Sequence, residues 1–519
     1  MEAVGRLSAI WSDMEREKGD LNTRCEAFAR WTIPNICLPD RTTDQSNEEQ
    51  DKGSVDDGAR WVNHLANRVV DLLFPISRPF FTMAMTPETE LKLSKEMDES
   101  ATGEFMKQVT QATTRLEKIA MRGLDLTHYR PIAVQAAKHL IITGNAVIRR
   151  LKSGKRIEYG IKRHGVRRNI AGEEIEVMLY DNKRLSTFSL EEQELIKAPS
   201  ANSGLKDDDD AELLTHYLWD GRRWVITQEA AGQPVGGTAY QTPEDYDLIC
   251  LTWDLASGSN YGTGLVEDSA VLFHKIDVTS EATMELIAIL CDIKFLIRPA
   301  SPLSGDAAYL ANSSRGSYHL GNEGDITVPQ VGKMADLQVM LGQIQSWEQK
   351  LSQIFLMSSV RNAERVTAEE IRMIAAELES SFGGLYSRLA VSWQEREAKY
   401  ALRGVDIDEV IGELSDMFEV VVTTGIESLS REGQLDNLRL AIGDLQMLEA
   451  VPEEIRATIH PLRFSTYVFA NRYVDINLFL KTPDELQGDQ RAAQKANQQA
   501  MQDQAGANVA EHAGKQAVE

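Results

Sequence analysis

Cysteine is scarce in this chain: there are four among 519 residues, Cys25, Cys37, Cys250 and Cys291, without CxxC spacing and mostly among apolar neighbours. That excludes a disulfide framework and a cysteine-built zinc site, and it points to reduced core thiols. Long apolar runs are absent as well. No stretch reaches the ~18 uncharged apolar residues of a membrane span, and the opening MEAVGRLSAIWSDMEREKGD has no h-region, so a soluble chain without a signal peptide is expected. Basic charge is in short supply: 55 Lys and Arg face 79 Asp and Glu, a formal charge of −24. A surface of that sign cannot grip nucleic acid as a whole, and any contact with DNA has to be local.

Catalytic motifs are missing too. No GxxxxGK[ST] phosphate loop exists, because Gly154-Lys155 runs into Arg156 and Gly332-Lys333 into Met334. The nine histidines are singletons without HExxH, and there is no GxSxG elbow. No enzyme activity, metal or cofactor is expected.

What the chain does have is length and patterning. With 42% hydrophobic residues it can bury a sizeable core, divided among several units. Leu7, Ile10, Trp11 and Met14 recur at helical spacing until Pro34 and Pro39 open a polar loop. Val62, Leu65, Val69, Leu72 and Leu73 line one face of a second helix that Pro75 ends. Helical periodicity returns over about 103–143, and Gly144-Asn145 then breaks it.

Short strand-like segments follow, at 146–151, 176–180, 216–219 and 224–227, which makes a β-rich module inside a helical chain. Lys206 and the acidic run Asp207 to Asp210 lack the Gly and closing Glu of a calcium loop and read as a solvated loop. Between 149 and 168 nine cations (Arg149, Arg150, Lys152, Lys155, Arg156, Lys162, Arg163, Arg167, Arg168) face one acid, Glu158. Such density suits a phosphate backbone; it equally suits a solvated sheet face, or one pairing with an acidic neighbouring subunit.

After Gly262-Thr263-Gly264 the period is helical through Leu265, Leu272, Ile276, Met284, Ile287 and Leu290, a rod of about 40 Å at ~1.5 Å per residue. An insert with Pro, Ser and Gly spans 299–332, and a second long helix runs from about Asp336 to Met357. The polar stretch 358–366 reads as a loop. Thr367-Ala-Glu-Glu370 is a capping box. Behind it Ile371, Ile374, Leu378, Phe382, Leu385 and Leu389 form an apolar stripe, loosened at Gly383-Gly384 and extending to about Leu402. The rest is acidic, and from Pro483 it is rich in Gln and Ala, too poor in large apolar residues to form a core alone.

The run from Arg365 through Thr367, Glu370 and Gly383-Gly384 to Ser387 resembles the helix after the tunnel loop in portal proteins, the head-to-tail connectors of short-tailed phages. Gly144-Asn145-Ala-Val, Tyr261-Gly262-Thr-Gly264 and Thr424-Gly425-Ile-Glu427 resemble the same family, so that the likeness spans roughly 20–480. The resemblance implies a mainly α chain with a β-rich wing (α+β), in a portal fold of wing, stem helices, clip and crown assembled as a ring of twelve. By position the wing is 1–263 with its inserted β module, the stem 264–293 and 335–357, and the clip 294–334. The tunnel loop is 358–366, the long wing helix 367–404, the crown 405–480 and the tail 481–519.

The implied function is passage of double-stranded DNA during packaging and ejection, in the virion and, during assembly, in host cytoplasm. Terminase, tail adaptor, major capsid and scaffolding or core proteins are the implied partners. Arg361, Asn362 and Arg365 then become tunnel-loop candidates for the channel, repeated as rings of charge. Salt bridges to Glu364 or Glu369 that merely order the loop are the other reading of these arginines. Tyr309, Arg315 and Tyr318 are docking candidates in the clip, because aromatics and arginine dominate interface hot spots. A helical scaffold protein without DNA, its rods serving only as oligomer interfaces, is the rival reading, followed by an enzyme subunit of unrecognised kind.

Overall fold

The computed structural model describes residues 6–38, 53–75, 79–81, 99–199, 204–291, 296–299, 325–327, 334–357 and 384–403, with isolated positions 312, 380, 382, 443 and 468. It mixes helices with three antiparallel sheets. The chain divides into two compact units: Met1–Ser77, Leu124–Val366 and Leu378–Trp393 form one, and Arg78–Gly123, Thr367–Glu377 and Gln394–Glu519 the other.

Helices α1 (Arg6–Glu17) and α2 (Gly19–Trp31) realise the first apolar period, with Leu7, Trp11, Met14, Leu21, Cys25 and Phe28 buried. Helix α3 (Gly58–Leu73) buries Trp61, Val62, Leu65, Val69, Leu72 and Leu73, the one-sided stripe expected, and ends two residues before Pro75. The period over 103–143 is not one helix. Helix α4 (Glu99–Leu126) stops, His128 adopts the left-handed region at φ 52°, and α5 (Tyr129–Thr143) begins afresh. The Thr127 hydroxyl caps the Leu124 carbonyl at 2.7 Å, an end that apolar spacing does not encode.

Gly144, at φ 76°, ends α5 and turns the chain into the β module. Strands β1 (Asn145–Arg150), β2 (Arg156–Tyr159) and, far along the chain, β8 (Leu248–Thr252) form a sheet ordered β2-β1-β8. Strands β3 (His164–Arg168), β4 (Glu174–Arg184), β5 (Asp210–Trp219), β6 (Trp224–Ala230) and β7 (Gln233–Gln241) make a five-stranded meander. The four strands legible in the sequence are β1, β4, β5 and β6. Helix α6 (Leu190–Lys197) carries a capping box, in which the Ser189 hydroxyl accepts from the Glu192 amide and Glu192 returns the bond. The acidic run is exposed, with Lys197 paired to Asp207 at 2.6 Å.

One core joins both sheets: Val147, Tyr159, Val166, Val177, Leu179, Tyr217, Trp224, Tyr246 and Leu248. Helix α1 lies on the meander through Leu7, Trp11 and Met14 against Met178 and Leu214. Glu229 on β6 anchors its first turn, accepting from the amides of Leu7 (2.9 Å) and Ser8 (3.1 Å), a carboxylate at the positive end of the helix.

Two sequence features 117 residues apart meet where the module closes. The Asn145 Nδ2 donates to the Gly262 carbonyl and the Gly262 amide to the Asn145 Oδ1, each at 2.8 Å. A Cβ on Gly144 would stand 2.5 Å from the Thr263 carbonyl carbon, and one on Gly264 2.8 Å from the Gly144 nitrogen. Only glycine fits either place.

Past this junction a single turn, α7 (Leu265–Asp268), breaks at Ser269 before α8 (Ala270–Cys291). Its described length is 22 residues, about 33 Å. Its partner α9 spans Met334–Ile354, and two-residue strands β9 (Leu296–Ile297) and β10 (Ile326–Thr327) pair between them. Gly384 has φ 82°, so the backbone leaves the helical region there. Helix α10 (Leu385–Leu389), a π turn over Ala390–Gln394 and α11 (Glu395–Arg403) follow.

Candidate assembly and nucleic-acid interface

The α8–α9 pair stands on an aromatic base. Phe273 of α8 stacks on Trp31 (6.1 Å) and meets Trp61 (5.9 Å) and Phe355 (6.0 Å) edge-on, while Phe355 stacks on Trp61 at 6.2 Å. Asp277, buried one turn up α8, accepts from the Trp31 indole at 3.0 Å and the Ser54 amide at 2.7 Å. This single carboxylate therefore ties α2 and the entry to α3 onto the rod. A buried acid is tolerable there because its oxygens are hydrogen-bonded and Arg30 stands 3.8 Å away.

The far end of α9 is fixed by an unusual residue. Leu356 adopts φ 57°, left-handed backbone that a leucine rarely takes, and its carbonyl accepts from Arg68 of α3 at 2.9 Å. Leu351, Phe355 and Leu356 are buried, so packing overrides the backbone cost. Burial, with Arg68 close by, lowers the pKa of His64 on the same face of α3. Nothing in the sequence marks this terminus, since neither Gly nor Asn stands at the turn.

Away from the base the pair leaves apolar surface uncovered. On α8 Val271, Val278, Met284, Ile287 and Ile289 are exposed, Met284 to 68%, and on α9 Val339 (64%) and Leu341 are exposed. Apolar groups in such number on adjoining rods mark an interaction surface.

The basic stretch behaves in the opposite way. It is split between two sheets, and its arginines turn to carboxylates of this same chain. Arg167 contacts Glu17 (2.7 Å) and Glu176 (2.9 Å), Arg163 contacts Asp181 (2.5 Å), Arg168 contacts Glu174 (3.1 Å) and Lys162 contacts Glu26 (2.6 Å). Glu176 also accepts from His216 at 2.8 Å, and the two partners hold its carboxyl below the usual range. Arg149 lies 3.7 Å from Asp247 inside the core, where burial nonetheless raises the Asp247 pKa. Lys152, Lys155 and Arg163 are exposed, as a solvated face requires, while most of the other cations pair within the chain and tie the module to α1 and α2.

Arg361, Asn362 and Arg365 lie outside the described residues, as do Tyr309, Arg315 and Tyr318 and the capping box at 367–370. What is described is the frame on either side of them: α8 and α9 with their base, and residues 384–403 with Phe382 just before them. There Phe382 meets Trp253 edge-on at 5.3 Å, and Arg388 pairs with Asp254 at 2.6 Å. Among the described residues no helix is long and apolar enough to cross a membrane, and no cluster of three metal-binding side chains occurs.

The family model for the bacteriophage head to tail connecting protein matches residues 4–402, which takes in both sheets, the glycine junction and the helix pair. The chain belongs to that family, and the role of a channel for DNA follows from the membership. Among curated relatives, the portal protein of Enterobacteria phage SP6 is 31% identical over 96% of this chain and 94% of its own length. The portal protein of Pseudomonas phage phiKMV is 28% identical over 96% and 95%, and that of Escherichia phage T7 is 25% identical over 96% and 92%.

Proposed function

We propose that this chain is the repeating subunit of a portal ring of twelve copies at one capsid vertex, through which double-stranded DNA is packaged and later ejected. The observation that carries this reading is the apolar surface on α8 and α9, left bare in one copy and lying within the span shared with portal relatives. Copies placed side by side cover it, as they do at any heterologous interface that closes into a ring.

In this reading the helix pair belongs to the stem (264–293 and 335–357), and 294–334 is the clip that docks terminase during packaging and the tail adaptor afterwards. The β module and the helix after Gly384 belong to the wing (1–263 and 367–404), 405–480 is the crown and 481–519 the tail. Major capsid and scaffolding or core proteins contact the outside of the ring, first in host cytoplasm and finally in the virion. The role is structural and uses neither catalysis nor cofactor.

Residues 358–366 form the tunnel loop, with Arg361, Asn362 and Arg365 facing passing duplex and reading phosphate without sequence. The Arg68 contact to Leu356 supports this placement, because it fixes the direction in which the chain leaves α9 just before that loop. Micrographs of the purified protein test the ring: an annulus of about twelve copies with an axial hole is expected, and a stable monomer overturns the reading. Arg361→Ala with Arg365→Ala tests the loop. Packaged DNA content or its retention should change, and unchanged virion DNA removes the loop from the mechanism while leaving the ring intact.

A further inference from the structure

The basic stretch 149–168 is not used by the stem or the tunnel loop, and the structure sorts its nine cations. Arg149, Lys162, Arg163, Arg167 and Arg168 face carboxylates of the same chain, and Arg150 is engaged within the chain as well. Arg156 is buried and builds the turn between β1 and β2: its Nη1 donates to the Gly154 carbonyl and the Thr127 hydroxyl, both at 2.7 Å, with its guanidinium 4.8 Å over the Tyr129 ring.

That leaves Lys152 and Lys155. Both are exposed, and among the described residues neither has an ion-pair partner. The turn that carries them is closed by its own backbone. The Leu151 amide donates to the Lys155 carbonyl at 2.8 Å and the Gly154 amide to the Leu151 carbonyl at 2.9 Å, with Gly154 at φ 81°. A Cβ on Gly154 would stand 3.3 Å from Thr127, so the turn rests against the α4–α5 connection.

We propose that the tip 152–155 is a second contact for the DNA phosphate backbone, with Lys152 and Lys155 as its cations; this rests on the portal reading above. Three features favour DNA over an acidic protein. In a chain of net charge −24, this is a place where positive charge is left unneutralised on a rigid support. The cations left over are lysines, mobile point charges suited to a sliding polyanion, whereas the arginines, whose planar fork selects carboxylates, are already occupied. Repetition around a ring multiplies a pair too weak to act alone into a band of charge.

The test uses assembled rings of the full-length chain and a short random-sequence duplex, with affinity measured across a salt series. Lys152→Glu with Lys155→Glu is expected to weaken binding by about tenfold or more near 0.1 M salt and to flatten the log–log salt dependence by roughly 2, about 0.9 per lost phosphate contact. Lys152→Arg with Lys155→Arg is expected to keep both. Unchanged affinity and slope in the glutamate variant overturn this site while leaving the portal reading standing. Glutamate variants that bind duplex normally but no longer assemble also overturn it, and assign the tip to a neighbouring copy instead. Wild-type rings that bind no duplex overturn both readings together.

Discussion

The β module and the α8–α9 pair solve the problem of surface in opposite ways. The module spends its charge internally. Its outer strand β3 is sealed by its own chain, the Val166 amide donating to the Tyr261 hydroxyl at 3.1 Å and the Arg168 amide to the Asn260 Oδ1 at 2.9 Å. The helix pair does the reverse, burying its base among four aromatic rings and leaving valines, a methionine and isoleucines bare above it. A fold that satisfies itself in one place and not in another shows where it expects company. Local charge density is a poor guide to a binding face where most of the cations have a carboxylate within reach, while uncovered aliphatic surface is a better one.

The largest effect should come from making the helix pair resemble the module. Met284→Asp with Val339→Asp places charge on the bare face, where burying each native side chain is worth about 1.5–3 kcal/mol per contact. Mass photometry should then find the ring population reduced by at least tenfold, with the far-ultraviolet dichroism of the wild type. Rings at full yield would mean that copies do not meet there, and the contrast between the two regions would lose its meaning.

A smaller effect probes the module's self-sufficiency. His164 is buried, with Nδ1 facing the carbonyls of Tyr159 (3.0 Å) and Gly160 (2.8 Å) and Lys18 reaching its own carbonyl at 2.7 Å. Burial, and then the Lys18 charge, push its pKa down to about 3 from the ordinary 6.5. The folded state therefore refuses a proton that the unfolded chain accepts. Stability is full above pH 6.5 and drains as the pH falls toward 3. Below about 4.5 Glu176, whose carboxyl is held low, adds its own loss. The melting temperature should fall on acidification from pH 6.5 to 4.5, and His164→Gln should flatten that segment. An equal slope in the variant would place the acid sensitivity outside this packing.

The smallest expected effect sharpens the same region. Ala231 sits at φ 45° beside Gly232 at φ 79° in the β6–β7 turn, where both central residues need left-handed backbone. Asparagine before glycine suits such a turn, so Ala231→Asn should add about 0.5–1 kcal/mol, read as a higher urea midpoint. A lower midpoint would show that the turn is held by its flanks and not by its own residues.

Much of this was legible in the sequence because it is local. The stripe from Val62 to Leu73 marks α3, Gly144-Asn145 marks the change from helix to strand, and the acidic run is a loop up to Asp209, with Asp210 opening β5. The break at Thr127–His128 was hidden, since a hydroxyl cap leaves apolar periodicity intact across it. Strands β2 and β3 were obscured by their own arginines. Arg167 of β3 finds Glu17, and Lys162 between the two strands finds Glu26, 150 and 136 residues away, pairings that no window along the chain can contain. The family likeness was legible through Gly144-Asn145 and Tyr261-Gly262-Thr263-Gly264, and the structure gives the physical reason for both motifs: each is the other's neighbour. The proposed channel and clip residues belong to segments outside the described residues.

That neighbourhood has an architectural consequence. Because the chain leaves α5 at Asn145 and returns at Gly262 through two mutual hydrogen bonds, everything between is a cassette whose entrance and exit share one doorway. Strands can be lengthened, shortened or exchanged inside 145–262 without altering the distance between Thr143 and Leu265. The helical frame is insulated from the history of its insert, and a lineage can remodel residues 145–262 while the helices on either side of them keep one geometry.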